Sequence, residues 1–280
     1  MSRTVGIVVD SIAGLTREFV KKHNISVVPL KVIIGQKEYV DGEFDQDLVI
    51  QALHQKVQIR TSQPTPELFM QAYESQLLSY KEVICITISK NLSGTYNSAN
   101  LAKTIINNEH VHIVDSESNV SGIAYLVERV LEFLEEGHSA LEAIDFLEEE
   151  KDKGSIIFTV DNLQSLVQGG RLSRVQAIIG NILKIKPILR FKKGVLSVEH
   201  KVRSFQNVLL YIVNETKKLL EHGKVVVRIA YVDTTVHAKE LEHLIYQLGE
   251  DVSVSIVGVI SPVVSAHVGL GGLGVFLTSV

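Results

Sequence analysis

Glu82-Val83-Ile84-Cys85-Ile86-Thr87-Ile88, then Ser89-Lys90-Asn91-Leu92-Ser93-Gly94-Thr95-Tyr96-Asn97, then Ser98-Ala99-Asn100-Leu101-Ala102-Lys103-Thr104-Ile105-Ile106, is the stretch whose reading decides the fold. β-Branched residues dominate the first segment, which reads as a buried strand. Apolar residues recur at helical spacing in the last. Between them lie the small polar residues Ser89, Asn91, Ser93, Gly94 and Thr95. A strand, a small polar loop and a helix start together make an anion site. Backbone N–H groups there lack intrahelical partners, and the helix dipole adds partial positive charge. Ser93 would add a hydroxyl donor. Ser93 or Thr95 equally suits the plainer role of an N-cap, and spacing alone does not separate the two.

The same pattern extends outward. Val5 to Val9 is an apolar run ending in Asp10-Ser11, and Val111-His112-Ile113-Val114-Asp115-Ser116 repeats it. Polar residues at the carboxyl ends of buried parallel strands are where α/β proteins place their sites. Helical patterns at 15–23, 68–80, 122–136 and 140–153 alternate with these strands, which predicts an α/β domain built on a parallel sheet. Gly154-Ser155 marks the expected boundary, giving an N-terminal α/β domain over 1–155 and a C-terminal α+β domain over 156–280. The second carries strand patterns at 156–160, 225–232, 252–260 and 274–280, a hairpin at Lys192-Lys193-Gly194, and helices at 205–222 and 236–248. That combination predicts a mixed sheet. Shorter helices are expected at 162–168 and 175–183. A cleft between two domains is a common place for a small-molecule site.

Composition narrows the functional classes. Of 280 residues, 45% are hydrophobic and 21% charged, as in a globular protein. A net charge of -4 gives no electrostatic case for nucleic acid as the main partner. The one cysteine, Cys85, lies in a predicted core strand, which fits a reducing cytoplasm. The N-terminus lacks the features of a signal peptide, and no uncharged apolar run reaches the roughly 18 residues of a membrane span. No H-E-x-x-H, paired-cysteine or G-x-x-x-x-G-K-[ST] pattern occurs, so neither a metal nor a nucleotide cofactor is expected. Gly269, Gly271 and Gly274 form a G-x-G-x-x-G, but no helix and acidic residue can follow as a dinucleotide site requires.

Three further features carry chemistry. Thr61-Ser62-Gln63-Pro64-Thr65-Pro66 makes a rigid turn and a helix start, with Thr65 as the natural N-cap. Thr61 and Ser62 are then available for other contacts, although ordinary turn chemistry also accounts for them. His267 borders the glycine loop. Arg171, Arg174, Lys184, Lys186, Arg190, Lys192, Lys193, Lys201 and Arg203 form a basic run interrupted only by Glu199. Such a run is a solvated face, or else a surface for an acidic protein or an anionic membrane. Ser93, His267 and Asp10 could also be combined into a hydrolase triad, but the G-x-S-x-G elbow is missing.

Taken in order, Asp10-Ser11, Thr61-Ser62-Gln63-Pro64, Ile88-Ser89 through Ser98-Ala99, Val160-Asp161-Asn162-Leu163 to Gly169-Gly170-Arg171, and His267-x-Gly269 resemble the DegV family of bacterial fatty-acid-binding proteins. The resemblance implies two α/β domains with a long-chain fatty acid between them. It implies that the carboxylate meets Thr61, Ser93 and His267, with Ser62 and Gly94 beside them, while the acyl chain is buried. Some members hand their fatty acid to a separate fatty acid kinase, which makes an acyl-phosphate for phospholipid synthesis; the member itself has no catalytic residue. On that reading Arg171 and Arg203 are candidates for docking the kinase, with transient contact at a membrane surface. The alternative is a serine-dependent acyl hydrolase or transferase using Ser93. Candidate walls for the acyl slot are Leu163, Leu166, Leu172, Ile178, Ile179, Ile182 and Leu183. A carrier of this kind is physically reasonable. Hydroxyl and N–H donors can replace the water around a buried carboxylate, and each buried CH₂ adds about 0.8 kcal/mol.

Overall fold

A computed structural model of the chain describes residues 3–161, 163, 166, 167, 169–171 and 185–280. In chain order they form β1 (Val5–Asp10), a 3-10 turn (Ser11–Ala13), α1 (Arg17–Lys22), β2 (Ile25–Val28), β3 (Lys31–Ile34), β4 (Lys37–Val40), α2 (Asp47–His54), β5 (Ile59–Ser62), α3 (Pro66–Leu77), β6 (Glu82–Thr87), α4 (Thr95–Ile106), β7 (Val111–Asp115), α5 (Val120–Glu135) and α6 (Ala140–Lys153). Then come β8 (Gly154–Thr159), β9 (Lys186–Lys192), β10 (Val195–Val202), α7 (Phe205–Leu220), β11 (Val225–Tyr231), α8 (Val236–Tyr246), β12 (Val252–Val259), α9 (Pro262–Val268) and β13 (Leu273–Ser279).

The β-branched runs near the start pair as expected. β2, β1, β6 and β7 form a parallel sheet in that order, with Val9 opposite Ile86 and Thr87 opposite Asp115. Every residue of β1 is buried, because helices cover both faces of the sheet. On one face Val8, Val83 and Cys85 pack with Phe69 and Tyr73 of α3 and with Ala99 and Ala102 of α4. Ile84 and Ile86 point the other way along β6, and α5 approaches that strand with its buried stripe of Ile123, Leu126, Val127, Val130 and Leu131. A small sheet, β4-β3-β5, accompanies this one; Gly35, at φ +62°, turns its hairpin.

The second sheet runs β10-β9-β8-β13-β11-β12. Only β11 and β12 are parallel, the other neighbours being antiparallel, so the expected mixed sheet is present. Leu209 and Ile212 of α7 and Leu241 and Ile245 of α8 pack on Val227, Ile229, Val275 and Leu277.

The chain divides into two compact units, one of residues 1–45 and 61–152, the other of 46–60 and 153–280. Residues 46–60, which carry α2, group with the second unit, where α2 packs against α9. α9 itself was not expected. Its N-terminus is marked by Ser261, whose Oγ accepts from Val264 N at 3.4 Å, and by Pro262 at the first helical position. The helix expected at 175–183 lies outside the described residues, as does part of that at 162–168.

Candidate functional site

The loop after β6 is held from both sides by the two aspartates of the repeated strand-Asp-Ser pattern. β6 lies between β1 and β7, so Asp10 and Asp115 flank its carboxyl end. Asp10 is fully buried. Its Oδ1 accepts from Ile12 N at 3.0 Å and its Oδ2 from Ile88 N at 2.6 Å. Asp115 Oδ1 accepts from Lys90 N at 3.2 Å and Glu117 N at 3.0 Å. Lys90 Nζ stands 3.6 Å from Asp115 Oδ2, too far for a hydrogen bond. Between these anchors Ser89 N donates to Ser118 O at 3.0 Å. The buried Ser89 organises the next turn of the loop: its Oγ accepts from Asn91 N at 3.3 Å, and its carbonyl from Leu92 N at 2.9 Å and Ser93 N at 3.2 Å.

Sequence suggested a loop of open backbone donors. Among the described residues most of those donors are occupied internally. Those of Gly94, Tyr96 and Asn97, at the start of α4, make no hydrogen bond. Ser93 does not cap the second or third helical residue. Its Oγ lies 2.8 Å from Thr95 Oγ1 and accepts from Thr95 N at 3.3 Å, while Gly94 is the N-cap. Ser93 is half-buried and Thr95 fully buried.

Thr61 and Ser62, both half-buried, end β5. The next residue, Gln63, crosses to the loop after β6. Its Nε2 donates to Ser98 Oγ at 2.8 Å, and its side-chain oxygen passes over Gly94 so closely that a Cβ there would lie 1.9 Å away. Thus the Thr-Ser-Gln-Pro and Ser-Gly-Thr-Tyr stretches, some thirty residues apart in sequence, meet in the first unit through Gln63. Sequence reasoning passed over Gln63. The only signal was a glycine at a helix start with no turn to require it: Gly94 has φ -74°, which any residue adopts.

In the second unit, His267 occupies the last turn of α9, before Gly269. Burial first, and then the charge of Arg171, pushes its imidazole down to about 4, so it is neutral at pH 7. Arg171 follows the Gly169-Gly170 turn and donates to the Gly169 carbonyl. Arg203, just past β10, is exposed. The basic run is not one surface. Arg190 reaches Glu199 at 2.6 Å, Glu215 at 2.5 Å and Ser155 Oγ at 2.9 Å. Lys186 pairs with Asp161 and sits over the Phe205 ring. Of the candidate wall residues, Leu166 is buried and Leu163 half-buried. Leu172, Ile178, Ile179, Ile182 and Leu183 lie outside the described residues, as do Arg174 and Lys184.

Asp10 drops out of the triad weighed from sequence, since backbone N–H groups occupy both its oxygens. No group of histidine, cysteine and acidic side chains suited to a metal ion occurs among the described residues, and no described helix is long and apolar enough to cross a membrane.

The comparisons with known proteins agree with this architecture. A family profile described as "Uncharacterised protein, DegV family" matches residues 4–280. A DegV domain-containing protein of Staphylococcus aureus is 30% identical over 270 residues, covering 96% of each chain. A solved structure from Thermus thermophilus, described as "Fatty Acid Binding of a DegV family Protein", superimposes with a TM-score of 0.93 at 28% identity, covering 100% of both chains. DegV of Bacillus subtilis, described as a fatty acid binding protein, superimposes with a TM-score of 0.89 at 27% identity, again over 100% of both.

Proposed function

The chain belongs to the DegV family, and from that premise we propose that it binds one long-chain fatty acid and chemically alters nothing. The carboxylate is held by the hydroxyls of Thr61 and Ser93 and by N–H groups at the start of α4, with Ser62 and Gly94 beside them. His267 is a further, uncharged donor. The acyl chain is buried, and burial of its methylenes supplies most of the affinity, at about 0.8 kcal/mol per CH₂. The observation that carries this reading is the crossing of Gln63 over Gly94, which gathers two hydroxyl-bearing stretches at one helix start. Support also comes from the fatty-acid-binding relatives in Thermus thermophilus and Bacillus subtilis.

A cradle of neutral donors suits a carboxylate that must later react. It replaces the lost water without a tight ion pair, so an oxygen stays available for attack on a phosphoryl group. The bound fatty acid is therefore presented to a separate fatty acid kinase, with Arg171 and Arg203 meeting an acidic surface of that enzyme. Calorimetric titration with oleate tests the binding step: saturable one-to-one binding is expected, and no heat or saturation would end the reading. For the handover, acyl-phosphate formation by a fatty acid kinase with ATP is measured with wild type and with charge reversal at Arg171 and Arg203. Unchanged rates would remove those two arginines from the docking surface.

A further inference from the structure

We propose that Asp10 is a positioning residue for the loop that carries Ser93, and that proton uptake by Asp10 slackens this loop and weakens fatty-acid binding as the pH falls. The ligand half of this inference rests on the fatty-acid reading above; the loop half does not.

Asp10 links the end of β1 to the start of the loop. Oδ1 serves the local 3-10 turn through Ile12 N, whereas Oδ2 reaches 78 residues along the chain to Ile88 N. An ionised carboxylate accepts charge-assisted bonds on both oxygens. A protonated one carries a hydrogen on one oxygen, which becomes a donor and a much weaker acceptor, and has lost the charge that strengthened both bonds. The turn at Ser11–Ala13 is also closed locally by Gly14 N donating to Ser11 O at 3.1 Å, whereas the 2.6 Å bond to Ile88 is a long-range tie held by the carboxylate charge. A proton on Oδ2 releases it, and one on Oδ1 removes the charge that strengthens it, so it weakens in either case. A shift at Ile88 reaches Ser93 directly. Ile88 is joined to Ser89, and the Ser89 hydroxyl and carbonyl hold the N–H groups of Asn91, Leu92 and Ser93.

The surroundings favour titration near neutrality. Burial pushes Asp10 up to about 7 against its two N–H donors, and Asp41 adds like-charge repulsion. Asp41 stands behind Ser11, whose Oγ donates to Asp41 Oδ2 at 2.6 Å, and burial raises it too. On the β6 side the Cys85 thiol faces Asp10, with the Tyr73 hydroxyl of α3 behind it. Burial pushes the thiol up to about 12 and the phenol higher still, so both stay neutral. No basic side chain among the described residues pairs with Asp10. His267, at about 4, does not titrate between pH 6 and 8, and a free carboxylic acid is already ionised there.

The test uses the intact protein. Amide resonances are followed from pH 5.5 to 8.5 without ligand, and oleate affinity is measured at pH 6 and pH 8. The Ile88 amide is expected to titrate with a midpoint near 7, and oleate to bind about threefold to tenfold more weakly at pH 6. Asp10→Asn keeps an acceptor for Ile12 N but turns an NH₂ group toward Ile88 N–H. It should fold, lose the Ile88 titration, and bind oleate about tenfold more weakly than wild type at pH 8 with no pH dependence. A wild-type Ile88 amide that does not titrate overturns the loop half. Oleate binding that is flat or tighter at pH 6, or an Asp10→Asn protein that binds like wild type at pH 8, overturns the ligand half. Failure of wild type to bind oleate at either pH sinks the fatty-acid reading with the ligand half, and the Ile88 titration still decides the loop half.

Discussion

Gln63 and Gly94 occupy the same space to within a methyl group: the Gln63 side-chain oxygen lies where a Cβ on residue 94 would be, 1.9 Å from it. Gly94 is therefore a glycine of close approach, not of backbone conformation, since its φ is -74°. Gly94→Ala should displace Gln63, break its 2.8 Å bond to Ser98 and weaken oleate binding about tenfold. The far end of a glutamine is flexible, so the fold should survive. In a Gln63→Ala background the clash is gone, and adding Gly94→Ala should then change affinity less than threefold. Strictly additive losses in the double variant would show that the contact does not carry the effect.

Ser93→Ala and Thr61→Ala each remove one hydroxyl from the proposed cradle. Each should weaken oleate binding about tenfold, the typical value of one hydrogen bond to a charged group. Melting temperatures should stay near wild type, because both side chains are half-buried and neither sits in the apolar core. Acyl ester turnover by the protein alone, abolished in Ser93→Ala, would instead favour the hydrolase alternative.

Stability should respond to pH in opposite directions at Asp10 and His267. Asp10 is raised in the folded protein, from 3.8 to about 7, so its contribution is fully present below 3.8 and is lost as the pH rises through 7. His267 is lowered, from 6.5 to about 4, so its contribution is present above 6.5 and is lost as the pH falls through 4. Between pH 4 and 6.5 the two offset one another. In Asp10→Asn, melting temperature should rise with pH across that window more steeply than in wild type; in His267→Gln it should fall with pH. Thermal melts at half-unit intervals measure both slopes, and parallel profiles for all three proteins would contradict the assignment.

Arg190 and Arg203 belong to one basic run in sequence but to different environments. Arg190→Ala leaves the Glu199 and Glu215 carboxylates, 24% and 17% exposed, without their shared cation. It should cost about 2–3 kcal/mol of stability, below the value for a fully buried pair. Arg203→Ala should stay within about 0.5 kcal/mol, as an exposed position does. Equal denaturation midpoints for the two variants would mean that the network around Arg190 is not intact in solution.

The parallel sheet was legible because its strands are nearly continuous β-branched runs, and the mixed sheet because a hairpin interrupts the later ones. The roles of Asp10 and Asp115 were half legible. The repeated strand-Asp-Ser pattern marked the right strand ends, but only the order β2-β1-β6-β7 shows that both aspartates face the one loop between them. Gln63 could not be read, because its importance lies in a contact across 31 residues and nothing local to either partner requires it. α9 could have been found: Ser261-Pro262 is a helix start, overlooked beside the glycines near the C-terminus. The grouping of 46–60 with the second unit is not legible in sequence, since the packing of α2 against α9 leaves no mark in a short amphipathic stretch.

Native mass spectrometry of the protein purified without added lipid tests the central claim most directly. One non-covalent adduct with the mass of a long-chain fatty acid is expected, displaced by added oleate and depleted in a Thr61→Ala/Ser93→Ala double variant. A bare protein that takes up no oleate, or an adduct equally abundant in the double variant, would contradict the account.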